Sequence, residues 1–341
     1  MKVLSFIIPA YNSEAYLDKC ISSMLVPEIL DKLEILVVND GSTDATPEVA
    51  RKYCEQYPGT VRLISQENKG HGGALNTGCA AAAGKYLKVI DADDWVETQN
   101  LPQFLALLEA CGSDVVLTHH HTIDISTGEI RNWKSYPEAF GQEYTFREIM
   151  SHWKSFDRSL TFHGVTYRTA FYRESGISLS EHVFYEDHEY ATFPCCRAKS
   201  VTPFDLFLYD YRIGDVNQSV SCANQLKRIG HTEAVLRHMT QEYATLPDSP
   251  GKDYAAMKIH GLLMSYLTTA LLVDPDKKEG RELAAGQMAR CRDSAPQVYA
   301  MTKRKYQVFS AMNRLHLSKQ TWDAILSSRI YNKIRKNHNF E

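Results

Sequence analysis

The sequence predicts an α/β protein, with a mainly parallel sheet covered by helices, followed by a region that is helical throughout. Three observations carry that prediction. Strand and helix patterns alternate across the first hundred residues, as repeated βαβ units do. Each apolar run in that alternation ends in a short polar cluster. From about Asn224 the pattern becomes one of amphipathic helices, with Ile259, Leu262, Leu263, Tyr266, Leu267 and Ala270 on a single stripe.

Residues 3–8, an apolar run stopped by Pro9, form the first strand. Asn12 or Ser13 caps a helix whose apolar face is Tyr16, Leu17, Cys20, Ile21 and Met24. Residues 33–38 form a second buried strand, Asn39-Asp40-Gly41-Ser42 a turn, and a helix begins near Thr46 with Pro47 in its first turn. Residues 61–65 form a third strand. A glycine-rich segment, 68–73, precedes a small-residue helix over 74–83, and a fourth strand delivers Asp91-Ala92-Asp93-Asp94. A helix with Leu101, Phe104, Leu105 and Leu108 inward leads to a strand at 114–118 and a turn at Ser126-Thr127-Gly128. Irregular, aromatic-rich segments fill Leu160 to Tyr211, without internal repeats or low-complexity runs.

A chain of 341 residues with 44% hydrophobic and 23% charged content is globular, and a net charge of −3 argues against nucleic acid as its main partner. The eight cysteines (Cys20, Cys54, Cys79, Cys111, Cys195, Cys196, Cys222, Cys291) show no CxxC spacing, which fits reduced thiols in the cytoplasm better than a disulfide framework or zinc site. The N-terminus, with one cation and a short apolar run ended by proline, reads as a strand and not a signal peptide. No stretch reaches the roughly 18 consecutive apolar residues of a membrane span.

In open parallel sheets ligands bind beyond the C-terminal ends of the strands. Four successive strand ends here are polar: Pro9-Ala10-Tyr11-Asn12 with Glu14, Asn39 to Asp44, Asn68-Lys69-Gly70-His71-Gly72-Gly73, and Asp91 to Asp94. Three carboxylates in the last cluster repel one another and are costly to desolvate, so a cation belongs with them. Mg²⁺ or Mn²⁺ carrying a nucleotide's diphosphate meets that need, since these ions take oxygen ligands from one or two carboxylates plus substrate phosphates. Tyr11 suits stacking on a base and Asp40 suits accepting from a base N–H. Gly70, Gly72 and Gly73 allow close backbone approach at a helix N-terminus, and Lys69 adds a charge. Taken singly, these segments read more plainly as a strand end, a turn, a loop and, for Asp94, a helix cap. The glycines also lack the order of a dinucleotide fingerprint or P-loop. Their coincidence at four strand ends is what points to one site.

These segments, together with Val37-Val38, Asn76 and Gly78, resemble the successive signatures of the family 2 glycosyltransferases, specifically through about residue 100 and more loosely to about residue 220. The resemblance implies a GT-A fold over residues 1–220, with a nucleotide-sugar half at about 1–115 and an acceptor half at about 116–220, ahead of a helical region at 221–341. It implies a UDP-linked or other nucleotide-sugar donor, an Mn²⁺ or Mg²⁺ ion, and inverting transfer to a glycan or lipid-linked acceptor in cell-surface polysaccharide synthesis. Pro9, Tyr11, Glu14 and Asp40, beside Ala10 and Asn12, would surround the nucleoside. Asp91-Ala92-Asp93, the DXD motif, would contact ribose and metal-diphosphate, with Asp93 the metal ligand. Lys69, Gly70 and Asn76 would lie in the base- or phosphate-facing segment.

Inverting transfer needs a base opposite the leaving diphosphate to take the acceptor's proton. The family supplies it from an acidic pair ahead of a helix, and Phe184-Tyr185-Glu186-Asp187-His188-Glu189-Tyr190 matches, which makes Asp187 the base. By themselves these acids also suit the solvated first turn of a helix. His119-His120-His121 falls on a strand, where at most His119 and His121 share a side, so a metal set is not indicated. His163 suits core packing or an acceptor contact, and Arg212 with Ser219 resembles the loop that closes over the diphosphate. A nucleotidyltransferase would need a glycine-rich basic signature where Pro9-Ala10-Tyr11-Asn12 stands, and intact Asp91, Asp93 and Asp187 weigh against a non-catalytic nucleotide-sugar-binding protein.

Residues 303–341 hold nine Lys/Arg (Lys303, Arg304, Lys305, Arg314, Lys319, Arg329, Lys333, Arg335, Lys336) against Asp323 and Glu341, with Tyr306, Phe309, Leu315, Trp322, Ile325, Ile330 and Tyr331 interleaved. Such a surface suits peripheral contact with an anionic membrane face or helices packed on the catalytic domain, and both readings stay open.

Overall fold

The computed structural model describes residues 1–214 and 222–327. The chain divides into two units, Met1–Gln218 with Pro247–Ala255, and Ser219–Leu246 with Ala256–Glu341.

The first unit begins with β1 (Leu4–Ala10), α1 (Leu17–Met24), β2 (Leu33–Asp40), α2 (Thr46–Gln56), β3 (Val61–Gln66), α3 (Gly70–Ala81) and β4 (Tyr86–Val89). β1 lies between β2 and β4, parallel to both, with Leu4 opposite Leu33 and Tyr86, and β3 joins β2 in parallel. Every residue of β1 and β2 is buried, because helices cover both faces of the sheet. Alternation sorts the side chains: Phe6, Ile8, Ile35 and Val37 pack with α1, while Ile7, Leu36 and Val38 pack with α3.

Next come β5 (Trp95–Val96), α4 (Leu101–Ala110), β6 (Val115–Asp124), β7 (Ile130–Trp133), α5 (Phe146–Ser151), β8 (Val165–Arg168), α6 (Thr169–Glu174), α7 (Asp187–Tyr190), α8 (Phe193–Arg197) and β9 (Val201–Ile213). The sheet order is β3-β2-β1-β4-β8-β6-β9-β5, with β7 on β6. β8 enters antiparallel between β4 and β6, β9 runs parallel to β6, and β5 antiparallel to β9. The parallel sheet read from the sequence thus covers the first four strands, and the rest is mixed. β6 turns directly into β7 as a hairpin, with His120 opposite Trp133, so no crossover helix imposes the parallel direction there.

Two boundaries moved. α3 starts at Gly70 and not near residue 74, so the glycines form its first turn, and β6 runs to Asp124 and carries all three histidines. Within the first turn and beyond, glycine is needed for packing: a Cβ on Gly78 would collide with the Ile7 side chain.

The second unit is helical: α9 (Cys222–Lys227), α10 (Ile229–Thr245), α11 (Pro250–Thr268, whose first residues belong to the first unit), α12 (Lys277–Ser294), α13 (Pro296–Arg314) and α14 (Lys319–Ser327). The stripe Ile259, Leu262, Leu263, Tyr266, Leu267 and Ala270 is buried throughout. One helix, Pro250–Val273, is long and apolar enough to cross a membrane by length and composition, and 56% of its apolar window is buried in the protein, as in a core helix. Trp322 of α14 meets Phe309 of α13 edge-on at 5.1 Å. Ser219, Arg329, Ile330, Tyr331, Lys333, Arg335, Lys336 and Glu341 lie outside the described residues.

Candidate active site

The C-terminal ends of β1, β2 and β4 open onto two adjoining clefts. One, of about 360 Å³, is lined by Ala10, Asp40, Asn68, Gly70 and His182, among others. The other, of about 560 Å³, is lined by Asn12, Tyr16, Asp91, Ala92, Asp93 and Arg212, among others. Pro9, Tyr11, His71 and Phe184 line both, which makes the clefts continuous. Tyr11 and Phe184 are exposed at 53% and 43%, large aromatic faces left uncovered at the rim. An aromatic-rimmed cleft leading into an acidic one suits a nucleoside joined to a diphosphate.

The loops behind these clefts are laced together. Asn12, in the left-handed region at φ 50 where asparagine is tolerated, accepts at Oδ1 from the Thr43 amide at 2.8 Å. Glu14 Oε2 accepts from the Ala45 amide at 2.7 Å, and Asp44 Oδ2 accepts from the Glu14 amide at 3.1 Å. α1 itself starts at Leu17 with no side-chain cap, so Asn12 and Ser13 do not cap it. Buried Asp40 accepts at Oδ1 from Gln66 Nε2 at 2.7 Å and from the Lys69 amide at 2.9 Å, which fixes its carboxyl at the cleft wall.

Three residues of the expected nucleotide site line neither cleft: Glu14, Lys69 and Asn76. Glu14 and Lys69 are exposed. The Asn76 amide is committed to the backbone of Leu179, donating to its carbonyl at 3.0 Å and accepting from its N–H at 2.9 Å. Asn76 therefore holds the segment leading to Asp187 against α3. The glycines serve the same docking. Gly70 has φ +77 and no room for a Cβ beside the His182 backbone, and a Cβ on Gly72 would strike the Ser180 carbonyl oxygen.

At the acidic end His71 joins two distant carboxylates. Its Nε2 lies 2.9 Å from Asp91 Oδ1 and its Nδ1 2.5 Å from Glu186 Oε1. Burial alone would disfavour charge on the ring, but Glu186 and Asp91 outweigh it and hold the imidazole well above its ordinary range, so it donates from both nitrogens. Burial likewise pushes Glu186 up, although His71 opposes the shift, and Glu186 Oε2 is buried without a hydrogen-bond partner.

Asp93 is raised by burial and by the charge of Asp91, and the Arg212 guanidinium stands 3.8 Å from it. Arg212 also lies over the Tyr16 ring, 4.6 Å from its centre. Asp94 is not the helix cap suggested by its sequence, because β5 and no helix follows it. Its buried carboxylate accepts from Tyr209 Oη at 2.5 Å and from the Arg212 amide at 2.7 Å, and so locks the acidic run to β9. Burial and the charges of Asp91 and Asp93 hold Asp94 well above the carboxylate range.

Asp187 opens α7 half-buried, one residue after Glu186 and two after Tyr185, whose φ is +76. His163 feels the charges of both Asp91 and Asp187, yet burial dominates and lowers it to about 4, which keeps it neutral, stacked on Tyr211 at 4.3 Å.

The donor set fits a hard divalent ion. Asp91 and Asp93 offer oxygens only, and their mutual repulsion is what an added cation relieves. A separate trio, Glu97, His121 and Asp210, has ligand atoms within 4.8 Å of one another but lines neither cleft. There His121 Nδ1 bonds Asp210 Oδ1 at 2.8 Å, the ring stacks on Phe207 at 4.3 Å, and Lys19 already offsets Asp210. His119 and His121 do share a side, both against Phe207, while His120 stacks on Trp133.

Sequence reasoning missed three participants: His71, Glu186 and Tyr209. His71 was the one titratable ring within the glycine run, and Glu186 adjoined the assigned base. Tyr209 carried no sequence signal.

The model of the Glycosyl transferase family 2 matches residues 5–175, half of the chain. Chondroitin synthase of Escherichia coli is 35% identical over 159 residues, 45% of this chain and 22% of that protein. Four further curated relatives are matched over 18% to 50% of their own length, so the chain spans well under two thirds of these proteins. Among solved structures, residues 1–349 of S. aureus TarS in complex with UDP-GlcNAc superpose with a TM-score of 0.66 at 19% identity, covering 93% of each chain. The mannosyltransferase PcManGT of Pyrobaculum calidifontis, in complex with GDP-Man and Mn²⁺, superposes with a TM-score of 0.50 at 18% identity over 99% of this chain and 88% of that one. These structures share the GT-A-type fold, a mixed α/β sheet with flanking helices and a helical C-terminal region. With the family model matched across β1 to α6, this chain belongs to glycosyl transferase family 2.

Proposed function

We propose that this protein transfers a sugar, with inversion, from a UDP-sugar donor to a hydroxyl of a glycan or lipid-linked acceptor in cell-surface polysaccharide synthesis. The observation that carries the reading is the continuous cleft, aromatic and backbone-lined at Tyr11 and Asp40, acidic at Asp91 and Asp93. A UDP-sugar bound to the TarS neighbour and the polysaccharide named by chondroitin synthase support the substrate classes.

In this reading Tyr11 and Phe184 flank the base and Asp40 accepts from it. Asp93, with Asp91 beside it, would hold Mn²⁺ or Mg²⁺, which would supply positive charge for the leaving diphosphate. Asp91 is kept in place by His71, and Arg212 gives the same region a fixed cation beside Asp93. Asp187 takes the acceptor's proton, in a segment pinned by Asn76 and by the His71–Glu186 bond. The free thiols among the described residues support a reducing, cytoplasmic setting.

A thermal-shift screen tests the donor. A ligand bound only by the folded state stabilises it by about 2.7 kcal/mol at a hundred times its dissociation constant. UDP-sugars raise the midpoint with Mn²⁺ and much less after chelation. If no UDP-, GDP- or dTDP-sugar does so with metal present, the donor assignment falls.

A further inference from the structure

We propose that the outward face of α13 is a docking surface for a bilayer bearing anionic lipid. The inference stands on the second unit alone and does not depend on the glycosyl-transfer reading. Met301, Val308 and Leu315 are three of the few large apolar side chains left in solvent, at 40%, 45% and 69% exposure. They are spaced by seven residues, so they fall within about 20° of each other per step around the helix and form one line. That line is about 21 Å long at 1.5 Å per residue. Arg304 and Lys305 sit three and four residues after Met301 and flank the line on its two sides. Both cations are exposed.

The charge pattern selects the partner. From Ser294 to Trp322 there is no acidic residue at all. A second copy of the chain, related by a two-fold axis, would set these cations against their own images. A polyanionic glycan would answer the cations and leave the apolar line in water. Only a surface that is anionic at its headgroups and apolar just beneath satisfies both, with the lysine and arginine stems reaching up to the phosphates. The side of α13 next to this line is already occupied, since Val298, Thr302, Phe309, Met312 and Asn313 are buried. The helix would therefore lie in the interface plane with its outer side down, without unfolding its packed side.

The test is co-sedimentation of the full chain with vesicles of phosphatidylcholine alone or with about 30% phosphatidylglycerol. The chain sediments with the anionic vesicles and stays in the supernatant with the neutral ones. Roughly 1 M salt releases most of it, because the screening length falls to about 3 Å. Arg304→Glu with Lys305→Glu weakens binding about tenfold or more. Met301→Ser with Val308→Ser weakens it too, leaving a remainder that salt abolishes. As a control for net charge, Lys277→Glu with Lys278→Glu leaves binding within about twofold of wild type. Thermal midpoints of all variants check that the helices remain folded. Equal binding to neutral vesicles, no binding to either, variants that bind as wild type, or a control that loses as much as the α13 pair would each overturn the proposal. So would a dimer of the chain that the α13 variants dissociate.

Discussion

His71 and Glu186 stand 115 residues apart in sequence and meet at 2.5 Å, Nδ1 to Oε1. The other ring nitrogen holds Asp91, so one cationic side chain ties the acidic run at the end of β4 to the residue just before Asp187. His71→Ala removes both ties and leaves the buried Glu186 unpaired. Transfer should fall by about 10²-fold, as misplacement by about 1 Å can cause, with donor affinity changed much less. Stability should also fall, since an uncompensated buried charge costs several kcal/mol. His71→Ala with Glu186→Gln separates the two effects, because the charge is gone while the tie is still absent. That double variant should regain its thermal midpoint and remain slow. Recovery of rate along with stability would reduce His71 to a structural ion-pair partner.

Asp187→Asn should keep the metal-dependent thermal shift with donor and lose transfer by about 10²- to 10⁴-fold, the range of general-base contributions. The side chain is half-buried at the start of a short helix, so the isosteric amide disturbs little around it. Transfer at the wild-type rate would remove Asp187 as the base.

The first four strands and most of the polar ends that line the clefts were legible because their signals are local. Each βα unit places its apolar run and its polar end next to each other in sequence, so Pro9 to Asn12, Asp40 and Asp91 to Asp93 could be read directly. What could not be read was which side chains line the clefts and which serve the loops. Asn76 and Glu14 look like nucleotide contacts in sequence, and their hydrogen bonds go to the Leu179 and Ala45 backbones. Asp94 looks like a cap, but its partners on β9, Tyr209 and Arg212, are more than a hundred residues away. The mixed half of the sheet was opaque for the same reason: β8 and β9 find their places through long-range pairing that no local period encodes.

Two glycines of α3 allow packing and positioning to be told apart. A Cβ on Gly78 meets Ile7 in the sheet, and a Cβ on Gly72 meets Ser180 and, at 2.9 Å, the Glu186 side chain. Both substitutions by alanine should destabilise by about 1–3 kcal/mol, the usual cost of overpacking. Gly72→Ala should in addition slow transfer per folded molecule, because it displaces the segment that carries Asp187. Gly78→Ala should leave that rate close to wild type. Equal rates for the two variants would argue against a precisely held segment.

Lys88 supplies a prediction of the same sign as the usual acid loss of stability, but placed in the alkaline range. It is fully buried in β4, donates to the carbonyls of His163 and Val165 at 2.7 and 3.1 Å, and is lowered by burial to about 7. In the unfolded chain its pKa returns to about 10.4. Between these values the unfolded chain binds a proton that the folded chain does not, so this residue makes stability rise with pH from about 7 toward 10. Below about 7 both states are protonated and the penalty is constant. Lys88→Met removes the titration and leaves two carbonyls short of a donor, so its effect at a single pH mixes two opposed changes. The difference between wild type and variant isolates the lysine: wild type should gain about 1.4 kcal/mol per pH unit relative to Lys88→Met across most of that window. Thermal midpoints at pH 7, 8 and 9 read it out, at roughly 2–4 °C per kcal/mol for a unit of this size. Parallel profiles for the two proteins would mean that Lys88 keeps its proton in the folded state and that its two carbonyl partners suffice to hold the charge.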